Sequence, residues 1–296
     1  MEGLLDDLGQ LLGEPVSRAE VIGRGQVATV YALYDSQNRT FPVVAKAYPV
    51  AGVAQNEMNK LLLLSRHSWV RVPAVHSVYC PTRTSLYKEI LLLERLPGIT
   101  VSAPCRSTDR SQALSEHIVD CLLSWHRVDS QGFTGISGDL KEQGWTEWYT
   151  RYQVQLWNQL EAFTDCDYAE RVILYRSLEK TSPLFSEFDD TCVLVHGDFR
   201  LRNLLKDVKT DQLLAVLDPG EIQAAPREYD LMHLCDDPFA EKVLSTYLKR
   251  APVAEQFAAR RWLYKVWEEV AAGLRCGKMN HERLAAYSQN LIPWLE

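Results

Sequence analysis

The sequence predicts an α+β protein with two lobes, a small antiparallel β-sheet with one helix followed by a larger, mainly helical lobe. Residues 1–95 are rich in short strand-like runs. After Pro97 and Gly98, which interrupt regular structure, long patterns of helical periodicity dominate. The length of 296 residues, 46% of them hydrophobic, is near the size at which one core divides into two. We therefore expect one lobe over 1–96 and a second over 97–296.

Short runs of β-branched and aromatic residues predict the strands of the first lobe. They are VATVYALY at 27–34, PVVAKAY at 42–48, PAVHSVY at 73–79 and KEILLLER at 88–95. Between the second and third runs, VAQNEMNKLLLLSRH at 53–67 has apolar residues at helical spacing, which predicts a helix. The N-terminal part is therefore expected to form a small sheet with one helix.

Helical patterns in the second lobe are interrupted by three short strand-like runs. The helical segments are 111–128, 145–163, 168–180 and 253–274. The strand-like runs are TCVLVHG at 191–197, NLLKD at 203–207 and QLLAVLD at 212–218.

Composition excludes several classes of protein. A formal net charge of -7 without a long basic run argues against a nucleic-acid binder. Seven scattered cysteines, never in a C-x-x-C pair, suggest neither a disulfide framework nor a zinc site. The N-terminus is acidic and amphipathic, unlike a signal peptide, and no run of eighteen apolar residues occurs. We expect a cytoplasmic protein with no membrane or nucleic-acid partner, and the sequence leaves its oligomeric state open.

Two glycines and a lysine near the N-terminus are candidates for phosphate binding. Gly23 and Gly25 lie between strand-like runs, where backbone N–H groups can approach a phosphate, although a simple hairpin turn uses the same residues. Lys46 ends an apolar run and Glu57 follows on the predicted helix. A lysine that points inward needs an anionic partner, so Glu57 could orient it toward a phosphate. The alternative is that Lys46 faces solvent.

The segment VLVHGDFRLRNLL, at 193–205, places polar residues between two apolar runs. Asp198 and Asn203 fall in this gap, and Asp218 ends the next strand-like run. Idle polar groups between buried runs would be costly. Carboxylate and amide oxygens are ligands that Mg²⁺ takes alongside nucleotide phosphates, so these residues predict a metal site. An Asx-turn is the alternative interpretation.

HGDFRLRN resembles the H-G-D-x-x-x-x-N catalytic loop of the aminoglycoside phosphotransferase, choline kinase and fructosamine kinase family, whose fold is similar to that of protein kinases. Other segments resemble the family in the same order along the chain. GRGQVATV is similar to the kinase glycine loop, with Ala28 in place of the third glycine. VVAKAY resembles the strand with the phosphate-binding lysine, ILLLERLPG the nucleotide hinge, and LDPGE the metal-binding turn.

The resemblance implies a protein kinase-like fold and an ATP- and Mg²⁺-dependent phosphotransferase acting on a hydroxyl of a small molecule. Asp198 would hold the hydroxyl and accept its proton, while Asn203 and Asp218 would bind Mg²⁺. The implied nucleotide-binding residues are Gly23, Gly25, Lys46, Glu57, Glu94, Leu96 and Arg200.

Within that set, Lys46 would pair with Glu57 and contact the α- and β-phosphates, and backbone groups near Glu94 and Leu96 would meet the adenine. Arg200 could hold the γ-phosphate with two parallel hydrogen bonds.

Three further residues are assigned structural roles. We expect His196 to brace the loop and His126 to be a core histidine. By resemblance, Asp230 would cap the helix that it begins and would support the catalytic loop.

The acceptor is less well defined than the nucleotide. Only residues 219–229 separate Asp218 from Asp230, too few for the activation segment of a protein kinase, so a small acceptor is favoured. Aromatic residues on the helical segments fit either a pocket wall or ordinary core packing; examples are Trp145, Trp148 and Trp267. Acidic residues could favour an amine-bearing acceptor over a sugar-like one, or could be solvated surface; they are Asp236, Asp237, Glu268 and Glu269.

Three other functions use the same features. A nucleotide-binding pseudokinase acting as a regulatory module is the main alternative, although Asp198 and both candidate metal ligands are present. A protein kinase and a nucleotidyl transferase are further alternatives.

Overall fold

The computed structural model describes residues 2–25, 27–81, 86–130, 132–134 and 144–296. Contacts divide the chain into two compact units. The first unit comprises Met1–Leu114 and Arg202–Glu221, and the second comprises Ser115–Leu201 and Ile222–Glu296. The sequence placed the division after Leu96, and that assignment of nucleotide-binding and substrate-binding lobes stays a prediction.

Helices and strands are numbered in chain order. The helices are α1 (Glu2–Leu12), α2 (Val53–His67), α3 (Thr108–His126), α4 (Trp145–Leu160), α5 (Tyr168–Leu184), α6 (Glu228–Leu231), α7 (Pro238–Arg250), α8 (Phe257–Cys276) and α9 (His281–Leu291). The strands are β1 (Arg18–Arg24), β2 (Thr29–Tyr34), β3 (Thr40–Tyr48), β4 (Val75–Tyr79), β5 (Glu89–Glu94), β6 (Ile99–Thr100), β7 (Val193–Leu194), β8 (Leu204–Lys206), β9 (Leu213–Val216) and β10 (Ala224–Ala225).

A five-stranded antiparallel sheet in the order β1-β2-β3-β5-β4 forms the centre of the first unit. Side chains alternate between its two faces. Along β3, Val43, Ala45 and Ala47 belong to the cluster that contains the apolar residues of α1. Tyr48 belongs to the cluster on the other face, with Leu61 of α2. The same alternation directs Lys46, two residues before Tyr48, toward α2.

The first unit also contains a small sheet in the order β6-β8-β9. Gly98, just before β6, has φ of +119°, and a Cβ there would lie 2.9 Å from the carbonyl oxygen of Lys206 in β8. This position therefore requires glycine both for its backbone conformation and for the close approach of a neighbouring strand.

Helices surround an aromatic core in the second unit, next to the two-stranded pair β7 and β10. Trp145 and Trp267 are fully buried, and their indole N–H groups donate to the Tyr264 hydroxyl and the Ser177 hydroxyl, each at 3.0 Å. Of the two interpretations of these tryptophans, the structure supports core packing. Trp148 is only partly buried and stacks on Tyr152, with ring centroids 5.1 Å apart.

The antiparallel sheet with α2 and the mainly helical second unit confirm the predicted α+β fold class. The structure adds α1, α7 and α9, which were not predicted from the sequence, and gives bounds to β1. No helix in the described part of the chain is long and apolar enough to cross a membrane.

Candidate active site

Lys46 lies on the α2 face of β3 and is only 7% exposed. Its ammonium group donates hydrogen bonds to both carboxylate oxygens of Glu57, at 2.8 and 2.7 Å, and another to Asp218. The hydroxyl of Tyr48, the next residue of β3 on the same face, donates to Glu57 Oε2 at 2.5 Å. The interpretation in which Lys46 faces solvent is therefore wrong. Tyr48 was not predicted, although period two places it beside Lys46.

Helix α2 is fixed at its start by a carboxylate from the sheet. Glu89 of β5 is buried and accepts hydrogen bonds from the backbone N–H groups of Gly52 and Ala54, at 2.7 and 2.8 Å. These groups belong to the first turn, where backbone donors lack partners within the helix and where a negative charge is favourable. Glu57 follows on the same helix and is thereby held against β3.

The carboxylates around Lys46 determine the protonation state of its ammonium group. Burial by itself would lower the pKa of Lys46, but the carboxylates of Glu57 and Asp218 outweigh it and raise that pKa. Burial also raises the pKa of Glu57, and Asp218 adds to this, while Lys46 opposes both. The lysine therefore remains a cation, and its charge stabilises two carboxylates.

A backbone hydrogen bond connects Asn203 to the residue before Asp218. Asn203 is buried in a 3₁₀ turn, and its carbonyl oxygen accepts a hydrogen bond of 2.8 Å from the N–H of Leu217. Asp218 follows directly, with φ of +58° and a side chain that is 55% exposed. A non-glycine residue in the left-handed region stores strain, which is commonest at functional sites. One carboxylate and one amide oxygen are the donor types that Mg²⁺ prefers, so these residues fit that ion.

Four of the remaining predicted nucleotide contacts also lie in the first unit. The N–H of Gly25 donates to Ala28 O at 2.9 Å, and a Cβ at Gly23 or Gly25 would meet only ordinary contacts at 3.7 Å. Glu94 pairs with Arg71, and its backbone N–H donates to the carbonyl oxygen of Ala74, just before β4, at 2.8 Å. Leu96 is partly buried. Their contacts with a nucleotide stay predictions.

In the second unit, the loop after β7 is held by one buried carboxylate. Asp230 accepts hydrogen bonds from the backbone N–H groups of His196 and Gly197, both at 2.7 Å, and contacts His126 Nε2 at 3.1 Å. Although burial opposes it, hydrogen bonding and charge from His126 lower the pKa of Asp230 to about 2. The support of the loop that was predicted for Asp230 corresponds to its hydrogen bonds with the two backbone N–H groups. Its predicted helix cap is wrong, because the residue lies within α6 and its carboxylate is directed to the loop.

The two histidines near this carboxylate are both buried. The N–H of Asp198 donates to His196 Nδ1 at 3.3 Å, and the His196 ring stacks on Trp125 with centroids 5.9 Å apart. His126 Nδ1 lies 2.7 Å from the Tyr247 hydroxyl. These contacts agree with the bracing and core roles expected of the histidines.

Asp198 is linked to a second carboxylate through an arginine. Arg200 Nε donates to Asp198 Oδ1 at 2.6 Å, and another guanidinium nitrogen donates to Glu268 Oε1 at 2.5 Å. Arg200 is buried, whereas the side chains of Asp198 and Glu268 are each 28% exposed. Two of the five guanidinium N–H donors therefore bind carboxylates, and the predicted contact of Arg200 with a γ-phosphate stays a prediction.

Further charged and polar groups surround Glu268. Lys265 Nζ lies 3.4 Å from Glu268 Oε2 and 3.7 Å from Asp236 Oδ1, and His233 Nδ1 lies 3.8 Å from Glu268 Oε2. Burial lowers the pKa of His233 to about 4, whereas the nearby carboxylates, led by Glu268, raise the pKa of Lys265 despite its burial. Sequence reasoning did not find His233 or Lys265, because nothing local connects them to Asp198.

Asp198, His233 and Glu268 also present ligand-type atoms within 4.8 Å of one another. The guanidinium of Arg200 is already hydrogen-bonded to both carboxylates. Arg200, together with Lys265 beside Glu268, therefore already supplies positive charge to both carboxylates of this group.

Each unit has its own set of charged and polar side chains. The first unit holds a buried ammonium group and oxygen ligands suited to a metal and polyphosphate, and the second holds an oriented carboxylate. Phosphotransferases with a kinase-like fold use such groups. The family model of the phosphotransferase enzyme family, APH, matches residues 18–270, and the chain belongs to this family.

Similar proteins cover the whole chain. YcbJ of Escherichia coli strain K12 and the protein of the same name from Shigella flexneri, both described as uncharacterized, are each 41% identical over 297 residues and cover 100% of both sequences. Among solved structures, a fructosamine-3-kinase homologue from Thermobifida fusca has a TM-score of 0.70 at 18% identity, over 99% of each chain. A thermostable aminoglycoside phosphotransferase APH(4)-Ia, in a ternary complex with ADP and hygromycin B, has a TM-score of 0.73 at 15% identity, over 99% of this chain and 98% of that one. These structural matches establish the kinase-like fold.

Proposed function

We propose that this protein is a small-molecule kinase that transfers the γ-phosphate of ATP, with Mg²⁺, to a hydroxyl group of a sugar-like or amine-bearing metabolite. The observation that carries the proposal is the buried Lys46, hydrogen-bonded to both Glu57 and Asp218. A buried cation between two carboxylates is poorly explained by stability alone, since apolar residues would serve a core as well. Membership of the phosphotransferase family and the nucleotide complexes of similar structures support this proposal.

Nucleotide binding is assigned to the first unit. Lys46, kept in place by Glu57, would contact the α- and β-phosphates, and the N–H groups near Gly23 and Gly25 would lie over them. Neither glycine is required by packing in the described residues, which agrees with a role in approaching a ligand. Asn203 and Asp218 would hold Mg²⁺, which supplies positive charge to the phosphate oxygens.

Acceptor activation is assigned to Asp198. The acceptor hydroxyl would donate a hydrogen bond to a carboxylate oxygen of Asp198, which orients the oxygen toward the γ-phosphorus. As the new O–P bond forms, the bond from the γ-phosphorus to the β–γ bridging oxygen breaks, and its electron pair leaves with ADP. The hydroxyl proton passes to Asp198. Against the effect of burial, His233 and Arg200 lower the pKa of Asp198, which keeps it ionised and ready to accept this hydrogen bond.

A direct test compares wild type, Asp198→Asn and the exposed control Asp109→Asn against a panel of sugars and amino alcohols. ADP release and phosphate transfer to the acceptor are measured, and MgATP binding is followed by thermal shift. We expect Asp198→Asn to keep MgATP binding and to lose roughly 10²- to 10⁴-fold in turnover. The control should retain the wild-type rate.

Other outcomes identify the alternatives. Full activity of Asp198→Asn would show that Asp198 is not the acceptor-activating residue. MgATP binding without transfer to any acceptor favours a pseudokinase. Labelled phosphate in a protein fraction indicates a protein kinase, and an AMP-modified product indicates nucleotidyl transfer.

A further inference from the structure

The position of the Asp198 carboxylate is set by a chain of charged contacts within the second unit. Arg200 donates two hydrogen bonds to Asp198. Its backbone N–H donates to Asp198 O at 2.9 Å, and its Nε donates to Asp198 Oδ1 at 2.6 Å. A second nitrogen of the same guanidinium, Nη2, donates to Glu268 Oε1 at 2.5 Å. Because the guanidinium is planar, fixing Nη2 also restricts the direction of the Nε–H bond.

The other oxygen of the Glu268 carboxylate lies near a lysine and a histidine. This oxygen, Oε2, lies 3.4 Å from Lys265 Nζ and 3.8 Å from His233 Nδ1. Lys265 and His233 have fully buried side chains, and neither has a hydrogen-bond partner for these nitrogens among the described residues. Glu268 Oε2 therefore lies close to both nitrogens, and its attraction to the Lys265 ammonium group restricts the orientations open to its carboxylate.

On the basis of the proposed function, we propose that Glu268 is a positioning residue for phosphoryl transfer. It anchors Arg200, so that the guanidinium, bound to Oδ1, holds the Asp198 carboxylate in one direction for the acceptor hydroxyl. The Asp198 side chain is 28% exposed, which gives a ligand access to this carboxylate. Without the anchor, Arg200 can rotate about its side-chain bonds, and the carboxylate loses its fixed direction. Misplacement of a reacting group by about 1 Å can cost roughly 100-fold in rate.

Charge supports the same arrangement. Burial raises the pKa of Asp198 and Glu268 adds to this, whereas His233 and Arg200 lower that pKa and outweigh both. Glu268 thus shares the positive charge of the guanidinium and prevents it from acting on Asp198 alone. Because the two carboxylates share one guanidinium, each of them can still accept a further hydrogen bond.

The test uses the full-length protein with an acceptor from the panel, in five variants. These are Glu268→Gln, Glu268→Asp, Arg200→Gln, the double variant E268Q/R200Q, and the control Glu241→Gln. Glu241 of α7 binds Arg261 of α8 at 2.8 Å, so the control removes a glutamate–arginine contact of the same kind that does not involve Arg200. Folding of each variant is followed by thermal unfolding, and kcat is expressed per folded molecule.

We expect Glu268→Gln to lower kcat by roughly 10- to 100-fold while both KM values change by less than about twofold. Glu268→Asp should recover part of kcat, because the carboxylate is retained. The double variant should be no slower than Arg200→Gln, since Glu268 acts through Arg200. The control should have wild-type kcat.

Several results would overturn the proposal. An increase in acceptor KM with unchanged kcat would make Glu268 an acceptor-binding residue. A raised nucleotide KM in Arg200→Gln would make Arg200 a phosphate ligand, as the sequence suggested. A lower Tm with normal kcat per folded molecule would leave only a structural role. Failure of the wild type to transfer phosphate would instead reject the proposed function, and the positioning role with it.

Discussion

Lys46 of β3 and Glu57 of α2 form a buried ion pair in which the ammonium group donates to both carboxylate oxygens, at 2.8 and 2.7 Å. Each side chain is 9% exposed. Removal from water makes an unpaired member of such a pair costly, so the strand and the helix depend on each other at this point. The exposed carboxylate of Asp218 is the third member of the group.

Substituting Lys46 by Met should destabilise the protein as well as weaken nucleotide binding. It leaves the Glu57 carboxylate buried without its cation, and we expect the free energy of unfolding to fall by about 3–5 kcal/mol. Urea unfolding at pH 7 measures this. Adding Glu57→Gln to Lys46→Met should restore part of the loss, because the unpaired charge is then removed. Wild-type stability of the single variant would contradict the burial of this pair.

Tyr48→Phe tests the hydrogen bond that holds Glu57 from the strand. Its hydroxyl donates to Glu57 Oε2 at 2.5 Å, and the ring is fully buried. Loss of a hydrogen bond to a charged group should lower the free energy of unfolding by about 1.5–3 kcal/mol. Tyr168→Phe is the control, since Tyr168 is 81% exposed, and it should leave unfolding unchanged. Equal stability of both variants would show that the contact contributes nothing.

Gly98→Ala should be strongly destabilising. The residue has φ of +119°, and a Cβ would lie 2.9 Å from a strand carbonyl oxygen, which is backbone and cannot easily move. We expect a loss of about 1–3 kcal/mol or more in the free energy of unfolding. Gly3→Ala, in α1 with open space around its position, should be neutral or slightly stabilising. Chemical denaturation of both variants decides the comparison.

Asp230 should make stability depend on acid pH. Its pKa in the folded protein is about 2, below the ordinary value of 3.8. A carboxyl group with a lowered folded pKa contributes stability that is present above the unfolded pKa and is lost as pH falls through the folded pKa. The contribution is about 2 kcal/mol at neutral pH, lost between pH 3.8 and about 2. The stability difference between wild type and Asp230→Asn should shrink by this amount between about pH 6 and pH 2. A constant difference would contradict the low pKa.

Periodicity located most of the regular structure but not the edge of the sheet. The helix predicted at 53–67 is α2, because its apolar residues follow a single face. Strand β1 was implied only by the position of Gly23 and Gly25 between strand-like runs and was given no bounds, because RAEVIGR contains charged residues and glycine and is largely exposed. Most of its side chains are exposed and show no alternation between faces, and its pairing with β2 depends on residues elsewhere in the chain.

In the candidate site, too, the contact between residues close in sequence was predicted and the contact between distant residues was not. Lys46 and Glu57 could be paired from the sequence because a strand and the helix after it are local neighbours, and their contact is present in the structure. Their roles toward a nucleotide stay predictions. Arg200 and Glu268 are separated by 68 positions, and no local pattern connects them. Such a contact depends on how α8 packs. Sequence periodicity predicts that one face of α8 is buried, but it does not predict which residues that face contacts.

Residues 202–221, which carry Asn203 and Asp218, pack with the first unit although 87 residues of the second unit, 115–201, precede them. The ribosome therefore releases the start of this unit long before it has made the end. The N-terminal part must wait for translation to pass residue 221 before it can complete its fold. Such late closure of a distant segment slows folding and lengthens dependence on chaperones.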